Sequence, residues 1–439
     1  MPPKIRIVFV GAGILSLISV KRFLDAITQH NHQHRYDITV IEQGSEGACG
    51  TTFGNGGNLT PIEGLPAIEP TASFHALPLH PATARHLGVL GKYSMQKTLD
   101  FFISNPTMAQ ACAFQYSAGE EREFACLYVT NDLRQAHLNS LHALDIPFTP
   151  LAADAVRSLY PVLAHSSLPI LSATCIEGGC LNARQFALAL IERLSRDGVT
   201  FRYHCSATAP FYQPGTRQIT GLLVTSSGDT APPQRLAADM VVIGTGCDTQ
   251  FLNTISPSPL IYPVGGCTLT VPVDASIAHY PTRPFKLITP DGWIVFSPHL
   301  STSQARPSHV RIGGISWYDP SMDASIDSPH AQHGLSTLKG ALKEVLPELY
   351  DHTLRRNQFD PWVGFRPYAF DYLPLIGETM PGSGIWLNIG HGPGGTSYGF
   401  GAADLLIQQL LPHYGLPAPS LSPDILSPAR IIASPDSSS

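Results

Sequence analysis

No C-x-x-C pair occurs among the eight cysteines of this 439-residue chain, which are scattered from Cys49 to Cys267. A zinc ribbon or a disulfide framework is therefore not expected, and the thiols read as free in a reducing, cytoplasmic compartment. Clustered lysine and arginine are also lacking. With 27 basic against 33 acidic residues, a net charge of -6, the chain has no surface suited to neutralising a phosphate backbone, so no nucleic-acid partner is expected. The apolar run from Ile7 to Val20 includes the residues of a glycine turn and a serine. It falls short of the roughly 18 residues that a transmembrane span needs, which leaves peripheral contact with the cytoplasmic face of a membrane open. Lys4 and Arg6 ahead of that run imitate a signal peptide, but no A-x-A-like cleavage site follows, so the segment reads as the start of a fold. Internal repeats are absent. What is there, 43% hydrophobic and 14% charged residues, is a globular balance on a chain long enough for about two or three domains.

The chain opens with a β-α-β pattern: strand 5 to 10, turn 11 to 13, a helix from about 14 to 28, and a strand "DITVIEQ" ending at Glu42. In the turn "GAGILS", Gly11 permits the bend and Gly13 lets a phosphate approach the backbone. The helix start at Ile14 adds unpaired N–H groups and a positive dipole. Glu42 is placed to accept from a ribose hydroxyl. It stands 29 residues after Gly13, the excess over the usual spacing of about 20 being the loop "HNHQHRYD". The three alternating histidines there read as a solvated loop, and no metal site is expected. Ser16 occupies the position of the third glycine, whose task is close helix-to-strand packing.

A second glycine-rich stretch, "GTTFGNGGNLTP" at 50 to 61, reads as a loop brought close to something. Strands follow in "GVTFRYHCSATAPF", "ITGLLVTSS" and "ADMVVIGTGCDT", and alternating strand-like runs fill 251 to 359. Mixed helical patterns such as "YSMQKTLDFFI" lie between Pro61 and Cys180. Near the carboxyl end "GIWLNIGHGPGGTSYGFGAADLLIQQLL" gives a strand, a glycine turn and a long helix, a second helix start able to meet an electron-rich ligand. Just upstream, in "WVGFRPYAFDYLPLIGE", Arg366 is hemmed in by aromatic residues. It reads either as a core-edge ion pair or as a carboxylate clamp.

In this order and spacing the motifs "TFGNGGNLTP", "GGCLNARQFALALIERLSRDGVTFRY", "IYPVGGCTLTVP", "HVRIGGISW", "WVGFRPYAFDYLPLIGE" and "LNIGHGPGGTSYGFGAADLLI" resemble the FAD-dependent D-amino acid dehydrogenases of the DAO superfamily. The likeness is weakest from 62 to 150 and in the tail. It implies an α/β fold in which a Rossmann-like FAD-binding domain (1–60, 181–250 and 360–415) is interleaved with a mixed-sheet α+β substrate domain (61–180 and 251–359), ending in a flexible tail, 416–439. It implies that Gly11, Gly13, Ile14, Glu42 and Gln43 hold the adenosine and pyrophosphate part of FAD. Thr51, Thr52, Asn55, Gly56 and Gly57 then run along the ring system, Gly244 and Gly246 lie nearby, and Gly392, Gly394, Gly395 and Thr396 sit by the pyrimidine end.

By the same likeness Arg366 binds the substrate carboxylate, and His391 either faces the flavin or is a structural histidine. A phenol that helps hold the carboxylate in related oxidases falls where this chain has Trp293, so Tyr318, Tyr368 or Tyr398 is left to supply a hydroxyl. The implied reaction is oxidative deamination of an amino acid to a 2-oxo acid and ammonia, by hydride transfer to the flavin, with dioxygen or a quinone as final acceptor. A sarcosine-like secondary amine oxidase, a 2-hydroxy acid dehydrogenase and a non-catalytic flavoprotein subunit are the alternatives. NAD has no use for the second helix start, so no nicotinamide requirement is expected.

Overall fold

A computed structural model describes residues 3–61, 81–226, 232–256, 259–289, 292–300 and 307–432. Part of the divergent 62–150 region, residues 62–80, therefore lies outside the described residues. The chain forms two compact units: unit 1 comprises Met1–Phe53, Phe186–Pro263 and Arg366–Ser439, and unit 2 comprises Gly54–Gln185 and Val264–Phe365.

Unit 1 is built on a six-stranded sheet. Strand β1 (Ile5–Val10) lies at its centre, parallel to β2 (Tyr36–Ile41) on one side and to Met240–Ile243 on the other. Thr200–Arg202 continues beyond β2, and Ile385–Ile389 and then Leu375–Glu378 continue beyond 240–243, the last pair antiparallel. Ile7, Val8, Phe9 and Val10 are all buried, as a strand covered on both faces of a parallel sheet requires. The first crossover is helix α1 (Ile14–Gln29), which lies beside the helix Gly395–Leu410.

Unit 2 holds a nine-stranded, mostly antiparallel sheet. Its strands Ile261–Pro272, Pro307–Gly313, Gly292–Leu300 and Phe285–Thr289 run side by side, followed by Phe124–Tyr128 and Ser172–Ile176. Alternation sends Leu269, Val271, Phe285, Phe296, Val310 and Ile312 into one core with Leu338, Leu342 and Leu349 of two following helices.

The borders differ from those read in the sequence. Unit 2 begins at Gly54, with Gly54 against the Trp362 ring and Gly57 against the Leu181 carbonyl, both of unit 2. The tail is not loose up to Ile432. Leu426 is 1% and Ile432 9% exposed, and the Arg430 guanidinium forks onto Asp371 at 2.7 and 3.0 Å while donating to the Leu373 carbonyl. Residues 433–439 lie outside the described residues. All eight cysteines are free thiols. Among the described residues no helix is long and apolar enough to cross a membrane, and no group of three His, Cys, Asp or Glu side chains is arranged to hold a metal ion.

Candidate nucleotide and substrate site

The glycine turn behind β1 is shaped by its neighbours. Gly11 has φ +98°, and a Cβ there would stand 2.7 Å from the Gly244 carbonyl, so this position admits glycine alone. At Gly13 the chain makes no such demand, since a Cβ would meet only Thr52 Oγ1 at an ordinary 3.5 Å. Among the described residues nothing else stands within 4 Å of that position. Ser16 fits where a third glycine was expected because its counterpart is small: its Oγ donates to the Gly244 carbonyl at 3.4 Å, and a Cβ on Gly244 would lie 2.0 Å from that oxygen. The glycine that permits close packing has moved from the helix to the strand end.

Glu42 does more than wait for a ribose. Its two oxygens accept from Ala12 N–H at 2.8 Å and Gly44 N–H at 2.9 Å, holding the turn against the end of β2. Thr52 Oγ1 accepts from Ile14 N–H at 3.1 Å, so this amide, expected to face the nucleotide, is already used. Among the described residues no protein group accepts from the Gly13 or Leu15 amide. The α1 start has neither an acidic residue in its first turn nor a side-chain cap.

The second helix start has the same character. Helix 395–410 begins at Gly395 without a side-chain cap or an acid in its first turn. The two helices meet in register: a Cβ on Gly395 would lie 3.5 Å from Leu15, one on Gly399 would lie 2.8 Å from Ile18, and Asp404, 4% exposed, receives Arg22 Nε at 2.6 Å. Increasing numbers on one helix meet increasing numbers on the other, so they run parallel with their positive ends side by side. Two aligned dipoles repel, and an anion at their shared amino end offsets that repulsion.

A buried relay joins the two turns. Ser19 Oγ donates to the Leu15 carbonyl at 2.8 Å and accepts from Asn388 Nδ2 at 2.9 Å, while Asn388 Oδ1 lies 2.8 Å from His391 Nε2. Asn388 therefore assigns the ring proton to Nε2, leaving Nδ1 as a lone-pair acceptor. Burial pushes the His391 pKa down to about 3, so the ring stays neutral at ordinary pH. The catalytic role expected of His391 narrows accordingly, because a base this weak does not collect protons near neutrality. Its Nδ1 and the Oγ1 of Thr396 are both buried without a partner among the described residues. The sequence reading missed Ser19 and Asn388, although one amide in the otherwise apolar strand "IWLNI" is an anomaly that signals a buried polar task.

Arg366 lies on the strand Asp360–Ala369, where Val363, Phe365, Pro367 and Ala369 are buried, so that Arg366 shares the other face with Tyr368. The Tyr368 ring packs on Gly392, and Tyr368 bridges to His391. Arg366 is close enough to Cys247 for its charge to oppose the burial that pushes that thiol up to about 12. Tyr398 lies fully buried with its ring against Gly394. Gly246 flanks Cys247 in the turn after strand 240–243, while Gln43 is exposed and Thr51 half-buried.

The remaining residues expected at the site belong to unit 2. Asn55 and Gly56 follow the border, and Asn55 Oδ1 accepts from Gly57 N–H at 2.7 Å. Gly57 is explained by Leu181 without any ligand. Trp293 stacks under the Lys286 ammonium at 5.6 Å. Tyr318 is 49% exposed, its neighbour Trp317 taking the inward place.

Paired positive helix ends, an open approach at Gly13, and orphaned polar atoms on His391 and Thr396 fit an extended dinucleotide with a polar ring system. A family model described as DAO, FAD dependent oxidoreductase, matches residues 6–409. D-amino acid dehydrogenase of Cereibacter sphaeroides is 25% identical over 439 residues, covering 91% of this chain and 90% of that one. D-amino acid dehydrogenase 2 of Ralstonia nicotianae is 22% identical, covering 91% and 95%. Among solved structures, glycine oxidase from Bacillus cereus superposes with a TM-score of 0.68 at 14% identity, covering 93% of this chain and 96% of that one. Iminodiacetate oxidase from Chelativorans does so with 0.68 at 17% identity, covering 96% and 99%.

Proposed function

The chain belongs to the DAO family of FAD dependent oxidoreductases, and from that premise we propose that it oxidises the α-carbon of an amino acid, of the D series by analogy with the dehydrogenases it is similar to. The observation that carries the reading is Arg366, set on a strand face beside Tyr368, whose ring rests on the Gly392 turn. A guanidinium there offers a planar fork to a carboxylate and leaves the α-carbon and amine beyond it. The amino acid loses a hydride from Cα and a proton from nitrogen, and water hydrolyses the resulting imine to a 2-oxo acid and ammonia. Bound FAD supplies the two-electron acceptor for the hydride.

The chain's own residues orient and stabilise. Gly13 and the start of α1 would hold the pyrophosphate. The start of helix 395–410, with Thr396, would meet the ring, where a positive helix end favours negative charge that develops on reduction. His391 stays neutral and offers a lone pair. With the amine arriving unprotonated no strong base is needed, in keeping with a histidine held at about 3.

The test is anaerobic bleaching of the yellow protein by a panel of D- and L-amino acids, sarcosine and 2-hydroxy acids. Loss of the visible band with D-amino acids is expected. Bleaching by sarcosine or a hydroxy acid alone moves the protein to another substrate class, and bleaching by none of the panel overturns the reading. Admission of air then assigns the acceptor: rapid return of colour means dioxygen, and persistent bleaching that a quinone relieves means a dehydrogenase.

A further inference from the structure

One face of the unit-2 sheet carries more polar groups than the described residues pair. In the three adjoining strands Thr268 pairs with Gly313, Ser297 with Arg311 and His299 with His309. Since Leu269, Phe296, Val310 and Ile312 enter the core, Thr268, Ser297, His299, His309 and Arg311 share the opposite face. His299 is 2% exposed, and neither ring nitrogen has a partner among the described residues. The same holds for Ser297 Oγ, Thr268 Oγ1 and His309 Nε2. Buried polar groups are rarely left so, and several on one sheet face point to an occupant.

The electrostatics select its chemistry. Arg311 is held on this face by Thr270 Oγ1 at 3.3 Å and the Asn55 carbonyl at 3.0 Å, and it feels the negative charge of Asp360 and, more weakly, the positive charge of Arg184. The His299 and His309 rings are 4.6 Å apart, and burial beside Arg311 keeps both neutral, His309 down to about 4. The neutral His299 ring donates one N–H and each hydroxyl one O–H, whereas Ser308 Oγ donates to the His299 carbonyl and accepts from His309 Nδ1, which leaves His309 Nε2 as an acceptor. Donors grouped round a fixed cation suit an acceptor-only anion, whereas an apolar group would leave them unpaired and a cation would be repelled.

We propose that Thr268, Ser297, His299 and Arg311 form a site on unit 2 for a small carboxylate. The carboxylate is either a free one or, resting on the amino acid reading above, one carried by a substrate, and the experiment separates the two sources.

The test titrates succinate into the FAD-loaded enzyme by calorimetry. Binding is expected, weakened by about tenfold or more in His299→Leu and by no more than about threefold in His299→Gln, which retains a donor and an acceptor. Flavin content and circular dichroism confirm that both variants are folded. If succinate competes with substrate, and aspartate and glutamate exceed alanine in kcat/KM in the parent but not in His299→Leu, the carboxylate is the substrate's own. Succinate binding without competition supports the site with a free carboxylate as ligand. Absence of binding, or equal affinity in His299→Leu, overturns the site even when amino acids bleach the flavin. Conversely, His299-dependent binding in a protein that no amino acid bleaches keeps the site and removes the proposed reaction.

Discussion

Among the described residues the two units leave polar groups unsatisfied in different ways. In unit 1 they are the Gly13 and Leu15 amides at the start of α1, together with His391 Nδ1 and Thr396 Oγ1 in the turn that opens the uncapped helix 395–410. In unit 2 they are side chains at alternate positions of neighbouring strands. A helix start exposes donors whatever side chains surround it, and close approach to them needs glycine, which leaves a mark in the sequence. A sheet face exposes whatever its register assembles, and residues far apart in the chain meet there.

The sharpest way to break this comparison is at the first turn. Gly11→Ala forces a side chain into the left-handed region, at about 1–2 kcal/mol, and against the Gly244 carbonyl, at about 1–3 kcal/mol more. The apo protein should lose about 2–5 kcal/mol in urea unfolding. Gly13→Ala should stay within about 1 kcal/mol of the parent because no protein atom opposes it, yet bind FAD more than about tenfold more weakly. Parent FAD affinity in Gly13→Ala would remove the pyrophosphate from this turn.

A smaller effect tests the substrate side. Arg366→Lys keeps the charge and loses the fork, which should cost about 2 kcal/mol, roughly thirtyfold in kcat/KM for flavin reduction, with flavin content unchanged. Reduction at the parent rate and concentration dependence would make Arg366 a brace for its strand.

The smallest effect concerns Ser16. Gly244→Ala places a Cβ 2.0 Å from Ser16 Oγ and should destabilise by about 1–2 kcal/mol, and adding Ser16→Gly should recover a good part of that loss. Strict additivity in a double-mutant cycle followed by thermal unfolding would mean that the two positions do not share one space.

Much of unit 1 was legible along the chain. The β-α-β start, the long carboxyl-terminal helix and the Arg366 strand follow from apolar periodicity and glycine placement, which are local signals. The roles of Ile14 and Gly57 were not legible. Thr52 had already used the Ile14 amide, and Leu181, 124 residues on in sequence, had set the need for glycine at 57. The tail misled for a related reason: its Pro and Ser content marks an irregular backbone but does not reveal that Leu426 and Arg430 find partners on unit 1.

By itself the sequence determined where helices begin and strands run, and which turns lack side chains, because those properties depend on residues within a few positions of one another. Only the tertiary structure decided that α1 and helix 395–410 lie parallel with their positive ends together, that Gly244 makes room for Ser16, and that His299 meets His309. Each of these joins segments separated in the chain, and contact geometry at that distance is set by packing and strand register.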